Sequence, residues 1–341
     1  MASAPRRTVS YSRSEKVAEK LKQKISDGEY YEAHQTYKML YQRYCAQARE
    51  TEGIRLLFEG ATLLLENKQL ESGADLALLL ISHLKAHQTS ISDELFGMVT
   101  KLFACMRQPN SADVESHIPV AGSREEFLRA ALKWTNMIDS QSYPYGHPQL
   151  HRMAAQAYAK EKDYTRARRH YLHVETPEEF GILLMEVASS EGYPGEADLF
   201  IAQAVLQLLV LKQRTYALDL YNIYTQAHPA FRDKEGPPYK DAPLLNFLWF
   251  LLHSAETRHA EVFSCLMQHY APVIQRDPSF QQYLAKIGEY YFRIAPSQSS
   301  SGGLFGLLGG ANGFLSELFE PQSASVTTSS PNQCAVVEDL D

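Results

Sequence analysis

Asp27-Gly28-Glu29-Tyr30-Tyr31-Glu32-Ala33 and Lys162-Asp163-Tyr164-Thr165-Arg166-Ala167 share one layout: a polar or glycine turn, an aromatic, and an alanine three residues after the aromatic. In a helical hairpin the turn needs a residue tolerant of unusual backbone angles. The aromatic fills the angle between two helices, and the small alanine lets the second helix come close to the first. The two stretches therefore predict a repeated helix-turn-helix unit. Such a unit buries its second face only against a neighbour, so a stacked array is the expected architecture, with a plain helical bundle as the alternative.

Outward from these stretches, from Glu15 to Ile294, apolar residues keep helical spacing and are interrupted by Gly, Pro or Asn rather than by the alternation of strands. The spacing predicts helices over 14–26, 29–46, 51–65, 73–87, 92–106, 123–137, 147–161 and 164–173, then over 177–190, 195–211, 214–227, 242–254, 258–270 and 277–293. The fold class is all-α, a right-handed α-solenoid of TPR-like antiparallel helix hairpins. Two segments interrupt it. Residues 107–122 (RQPNSADVESHIPVAG) are polar and read as a surface loop. Residues 228–243 (HPAFRDKEGPPYKDAP) carry Pro229, Pro237, Pro238 and Pro243, with Glu235-Gly236 able to turn a short β-hairpin; an ordered loop and a plain connector are the other readings.

The chain divides into a basic N-terminus at 1–13, a first solenoid half at 14–150, a second at 151–295, and an acidic tail at 296–341. Formal net charge is −7, from 33 basic and 40 acidic side chains, and it is unevenly spread. Residues 1–24 are basic through Arg6, Arg7, Arg13, Lys16, Lys20, Lys22 and Lys24, whereas 296–341 hold Glu317, Glu320, Glu338, Asp339 and Asp341 and no Lys or Arg. An acidic body repels a phosphate backbone, so nucleic acid is not an expected partner. In the tail, segment 303–319 places Leu304, Leu308, Ala311, Leu315 and Leu318 on one helical stripe. Its glycines, among them Gly306, Gly309, Gly310 and Gly313, each cost about 1 kcal/mol in a helix interior. It is expected to fold only onto a partner groove or onto the body.

The composition, 45% hydrophobic and 21% charged, is that of a globular chain. The N-terminus MASAPRRTVSYSRSEK lacks the apolar run of a signal peptide, and no stretch is apolar enough to span a membrane. Cys45, Cys105, Cys265 and Cys334 form no Cys-x-x-Cys pair, which argues against a zinc ribbon or a disulfide framework. A cytosolic protein without direct membrane insertion is expected. His83 with His87, His147 with His151, and His170 with His173 have metal-ligand spacing, but none carries the Glu of His-Glu-x-x-His, so no metal is assigned to them. Gly146-His147-Pro148 reads instead as a helix start. The Gly302–Gly313 run lacks the Lys-Ser/Thr of a P-loop, and no nucleophile, base and orienter set is present. No catalytic residue or cofactor is expected.

Longer stretches carry a more specific signal. Gly28-Glu29-Tyr30-Tyr31-Glu32-Ala33-His34-Gln35, Gly73-Ala74-Asp75-Leu76, Ala131-Leu132-Lys133-Trp134 and Gly146-His147-Pro148-Gln149-Leu150-His151 are followed by Ala202-Gln203-Ala204-Val205-Leu206-Gln207, by Pro243-Leu244-Leu245-Asn246-Phe247-Leu248-Trp249-Phe250-Leu251-Leu252 and by Arg276-Asp277-Pro278. In this order they resemble the Golgi to ER traffic protein 4 family, a subunit of the transmembrane-domain recognition complex, over nearly the whole chain. The resemblance implies a non-enzymatic cytosolic adaptor in the delivery of tail-anchored membrane proteins to the endoplasmic reticulum. It implies that the N-terminal half holds the targeting ATPase. The C-terminal half would hold the partner linked to the client-bearing chaperone: the ubiquitin-like subunit in fungi, or the BAG-family scaffold Scythe in animals, whose nuclear localisation signal the adaptor covers. A scaffold subunit of another complex, signalosome-like or vesicle-coat-like, is the rival reading.

The resemblance makes Asp75, in the family's Gly-x-Asp-Leu motif, and the Tyr30/Tyr31 pair the candidate contacts to the ATPase. The structural alternative is that Asp75 favours a helix start and that one tyrosine is core. For the C-terminal partner the candidates are Phe231 and Tyr239 in the proline-rich segment and Phe247, Trp249 and Phe250 after it. Successive helical residues rotate by about 100°, so those last three cannot share one face.

Overall fold

The turn after the first helix sets the pattern for the N-terminal half. Gly28 adopts a left-handed backbone (φ 83°), and the Glu29 amide donates to the Lys24 carbonyl at 2.9 Å, closing the helix end in a Schellman turn. The same geometry recurs at Ala48, Lys68 and Gln88, with the amides of Arg49, Gln69 and Thr89 donating to the carbonyls of Tyr44, Leu64 and Leu84. These turns repeat with a period of about 20 residues, within the range of helical repeats. Lys162 and Lys212 form the same turn further on, where Asp163 and Gln213 donate to Tyr158 and Leu208.

The computed structural model describes residues 13–106, 120–193 and 195–294. Among them are fifteen helices and no strand: α1 (Arg13–Ser26), α2 (Tyr30–Ala46), α3 (Glu50–Glu66), α4 (Leu70–Ala86), α5 (Asp93–Cys105), α6 (Val120–Ile138), α7 (Pro148–Lys160), α8 (Tyr164–Tyr171), α9 (Pro177–Ser190), α10 (Ala197–Val210), α11 (Arg214–Ala227), α12 (Pro243–Thr257), α13 (Ala260–His269), α14 (Ala271–Ile274) and α15 (Ser279–Phe292). Tight turns make consecutive helices antiparallel, and the hairpins stack into an α-solenoid. Every helix expected from the sequence is present. Helix α4 starts at Leu70 rather than 73, because Gly73 belongs inside its first turns. The short α14 lies in the connection between the helices expected at 258–270 and 277–293. The 107–122 loop and the 303–319 stripe fall largely or wholly outside the described residues.

Small residues set how closely the helices approach. Ala33 and Ala167, singled out by the repeated motif, are fully buried. Gly60 of α3 lies beneath the Tyr37 ring of α2, so close that an added Cβ would sit 2.6 Å from Tyr37 Cδ1. Gly73 brings α4 against Leu65 in the same way, with an added Cβ 2.6 Å from Leu65 Cγ.

Polar anchors then hold α6 to α4 and α7. The Trp134 ring of α6 is fully buried and its indole Nε1 donates to the Thr89 carbonyl at 2.9 Å. Arg124 of α6 is buried and donates from Nη1 to both Glu161 oxygens, at 2.9 and 2.7 Å. Its guanidinium also lies 4.1 Å from the Phe103 ring centroid of α5 and 5.1 Å from that of Tyr158 on α7. One cation therefore ties together three helices across the 107–119 segment.

In the C-terminal half α10 is buried on nearly every side and packs against α9, α11, α12 and α15. The segment after α11 is an ordered loop of successive turns, without the β-hairpin considered from Glu235-Gly236.

Two substitutions test this packing. Gly60→Ala gains about 1 kcal/mol in helix propensity but overpacks the Tyr37 contact, which costs about 1–3 kcal/mol. The urea midpoint should fall, and an unchanged or higher midpoint would mean that the ring yields freely. Glu161→Gln leaves the buried Arg124 cation without its carboxylate and should lose about 3 kcal/mol in the same measurement.

Candidate functional site

On the N-terminal half, α2 and α4 lie side by side and share a polar cluster. Lys38 Nζ donates to Asp75 Oδ2 at 3.0 Å, and His34 Nε2 lies 2.8 Å from the same oxygen. Partial burial opposes ionisation of Asp75, but the hydrogen bonds from Lys38 and His34 outweigh it and hold the carboxyl below its ordinary range. About half of the Asp75 side chain remains exposed. Because α4 begins at Leu70, Asp75 lies in the second turn. The reading of Asp75 as a helix-start residue is therefore corrected: its partners are side chains of α2, not backbone amides.

Of the tyrosine pair, Tyr30 packs half-buried on the core whereas Tyr31 is 74% exposed. About two turns further along α2, Met39 is 62% exposed, an apolar side chain that sequence reasoning did not single out.

Further along the same two helices Tyr41 Oη and His83 Nδ1 are 3.0 Å apart, and His83 stacks on His87 with centroids 4.3 Å apart. His87 Nδ1 in turn lies 3.2 Å from Glu50 Oε1. This histidine pair is therefore a stacked link between a tyrosine contact at one end and a glutamate contact at the other.

On the C-terminal half the aromatic candidates separate by burial. Phe231, Tyr239 and Phe247 pack into the core, so their rings are not presented on the surface of this chain. Phe231 packs beside Tyr224 and His228. The Tyr239 backbone is clamped by Asn246 of α12: its amide donates to Asn246 Oδ1 at 2.6 Å, and its carbonyl accepts from Asn246 Nδ2 at 2.7 Å. These two bonds fold the proline-rich segment onto α12 and carry the Tyr239 ring inward. Trp249 is half-buried and Phe250 is exposed, with centroids 5.0 Å apart, and His253 completes the patch 4.7 Å from Trp249. Trp249 and His253 are four residues apart, so sequence spacing alone was enough to add His253.

The other two histidine pairs converge only in part. His147 caps α7, its Nδ1 accepting from the Gln149 amide. His151, His170 and His173 cluster where α7 and α8 meet, with His151 4.7 Å from His173 and 5.2 Å from His170 between ring centroids. His151 Nε2 lies 3.1 Å from the Tyr145 carbonyl, which can only accept, so that nitrogen carries the proton. His151 Nδ1 then accepts from His170 Nδ1–H at 2.9 Å. This arrangement requires a neutral His151 ring, and a proton added at His151 Nδ1 would set donor against donor. Among the described residues no group of three or more His, Cys, Asp or Glu is placed to hold a metal ion. Nor, among them, is any helix long and apolar enough to cross a membrane.

Comparison with known proteins places this architecture. The family model described as Golgi to ER traffic protein 4 matches residues 32–310. A Golgi to ER traffic protein 4 homolog of Xenopus tropicalis is 40% identical over 295 residues, covering 86% of each chain. The homolog of Homo sapiens is 39% identical over 295 residues, covering 86% of this chain and 85% of that one. A crystal structure of C. therm. Get4 superposes with a TM-score of 0.73, at 24% identity, over 94% of this chain and all of that one, and shares the fold.

The histidine cluster should make the stability of the protein depend on pH. Burial pushes His151 down to about 4 and holds His170 and His173 well below the usual imidazole range, with charge repulsion among the rings adding to the effect. The unfolded chain therefore takes up these protons first. Stability should begin to fall as pH drops through the unfolded value near 6.5 and keep falling towards 4, by about 3 kcal/mol for His151 alone. Urea midpoints measured from pH 7.5 to 4.5 should follow this course, with a shallower slope in His151→Gln; equal slopes in the two proteins would remove His151 from the account.

Proposed function

The chain belongs to the Golgi to ER traffic protein 4 family, and on that footing we propose that it is a non-enzymatic cytosolic adaptor in the delivery of tail-anchored membrane proteins to the endoplasmic reticulum. In this reading the N-terminal half holds the targeting ATPase. The C-terminal half holds the scaffold Scythe or the ubiquitin-like subunit, and binding Scythe retains it in the cytosol. The observation that carries the reading is the presence of two separate, chemically different faces on one continuous helical body. One is the acid-base cluster of Asp75, Lys38 and His34 beside the exposed Tyr31; the other is the aromatic patch of Trp249, Phe250 and His253. Bringing a chaperone to an ATPase requires two docking faces held apart by a rigid spacer, and stacked hairpins supply one.

The two faces suit different contacts. Lys38 and His34 both meet Asp75 at Oδ2, which leaves Oδ1 for a basic side chain of the ATPase. The carboxylate is already oriented, so little rotamer freedom is lost when a partner pairs with it. Tyr31 adds a large amphipathic surface beside it. Trp249 and Phe250 form an apolar anchor of the kind that dominates interface energetics when covered by another chain.

Asp75→Lys sets a second cation beside Lys38, removes the acceptor that Lys38 and His34 share, and should weaken ATPase recovery by about 30-fold or more, roughly 2 kcal/mol, with helicity unchanged. Trp249→Ala with Phe250→Ala should release the C-terminal partner and leave the ATPase bound. Deleting the proline-rich segment is not an equivalent test, since Tyr239 and Phe231 are part of the core. Pull-downs of both variants from cytosol decide the matter. Loss of both partners in either variant, or of neither in both, would refute the division of labour between the halves.

A further inference from the structure

We propose that segment 303–319 of this chain docks in the apolar groove between α13, α14 and α15, with the acidic residues of the tail held at a cationic pocket on the other flank of α15. Such docking is independent of the adaptor reading and stands whether or not that reading holds.

The groove has a volume of about 400 Å³ and is lined chiefly by Phe263, Met267, Ile274, Leu284, Ala285 and Ile294. Gly288 forms part of its floor, and an added Cβ there would already touch Phe263 Cε1 at 3.4 Å. The groove is thus a space of ligand size that the helices themselves leave unfilled.

Three observations point to the tail as its occupant. The first is continuity. Arg293 adopts a left-handed backbone (φ 56°) and the Ile294 amide donates to the Gly288 carbonyl at 3.1 Å, so the chain turns back across the end of α15. Ile294 is both the last described residue and part of the groove wall. About ten residues separate it from Leu304, enough to span roughly 33 Å when extended, so the segment reaches the groove with slack.

The second is pattern. Leu304, Leu308, Ala311, Leu315 and Leu318 fall on one helical stripe, while the intervening glycines disfavour a free-standing helix. Such a stripe is matched by an apolar surface that receives its leucines. Docking within one chain avoids the entropy cost of bringing two molecules together, so modest contacts are sufficient.

The third is charge. The pocket on the other side of the α15 end, about 540 Å³, is formed with Lys212, Arg214, Arg258, Tyr290 and Tyr291. Its one acid is Glu256, whose Oε2 lies 3.4 Å from Arg214 Nη1. Lys212 Nζ stands 4.5 Å from the Tyr290 ring centroid, which holds this cation at the pocket. Residues 296–341 contain five acids and no Lys or Arg, the complementary composition.

The test is a photo-cross-link in the full chain, with p-benzoylphenylalanine in place of Gln281, an exposed groove residue. The expected product is an intramolecular link to a peptide within 303–319, with a yield independent of protein concentration. Leu308→Asp with Leu315→Asp, outside the described helices, should reduce it at least tenfold, and Lys212→Glu with Arg258→Glu several-fold. In the leucine variant amide exchange in α13 and α15 should also become faster. Links only between two chains would replace the tail by a second copy. Links to a purified C-terminal partner but none to the tail would make the groove that partner's site. Either result, or unchanged exchange in the leucine variant, overturns the proposal.

Discussion

A helix that is apolar all round has no stable place except inside other helices, and α10 is such a helix. Its sequence, Ala-Asp-Leu-Phe-Ile-Ala-Gln-Ala-Val-Leu-Gln-Leu-Leu-Val, offers no solvent face, and nearly all of its residues from Ile201 to Val210 are buried. It must therefore be enclosed, and α9, α11, α12 and α15 enclose it. Its few polar side chains are each met by a different element. Asp198 takes a bidentate pairing from Arg276, at 2.5 and 3.1 Å, Gln203 accepts from Arg168 of α8, and Gln207 donates to the Tyr283 hydroxyl of α15. Since a buried polar group left unpaired is costly, these contacts fix the register in which the surrounding helices close. The Arg276-Asp277-Pro278 stretch thus gains a physical role: Arg276 locks the end of the array onto its central helix.

The N-terminal half is held by a different principle. There each hairpin leans on the next through small residues and turns of the same form. The two halves meet at α6, α7 and α8. There the Arg124–Glu161 pair, the Trp134–Thr89 hydrogen bond and the neutral histidine cluster supply directional contacts where apolar packing alone would leave the angle between halves loosely specified. The acid-sensitive histidines therefore lie at the joint between the two proposed docking faces, so protonation bears first on the geometry that relates them.

Much of the fold was legible because helical periodicity is local. The turns were less so. Gly28 announces a left-handed residue, but Ala48, Lys68 and Gln88 occupy the same conformation without any sequence mark, and the regular repeat was hidden behind them. The proline-rich segment misled for a related reason. Its prolines and charges suggested an outward loop, so Phe231 and Tyr239 looked like exposed contacts. The corrective clue was Asn246, a polar residue in the apolar run Pro243–Leu252, which had to find buried partners and found both at Tyr239. Asp75 was visible as a candidate from its motif, whereas its bonds to Lys38 and His34 depend on the separation of α2 and α4 and could not be read from spacing.

Helices α2, α3 and α4 each contain 17 residues and are joined by turns of the same form. A residue inserted within α4 ahead of Asp75 would rotate the carboxylate by about 100° about the helix axis, enough to swing it off the shared face. The Lys38–Asp75 bond therefore works as a gauge of phase, made only when the start of α4 has come out at the right length. A partner that docks on this carboxylate tests the assembly of the hairpin array beneath it, and not merely the presence of one acidic side chain.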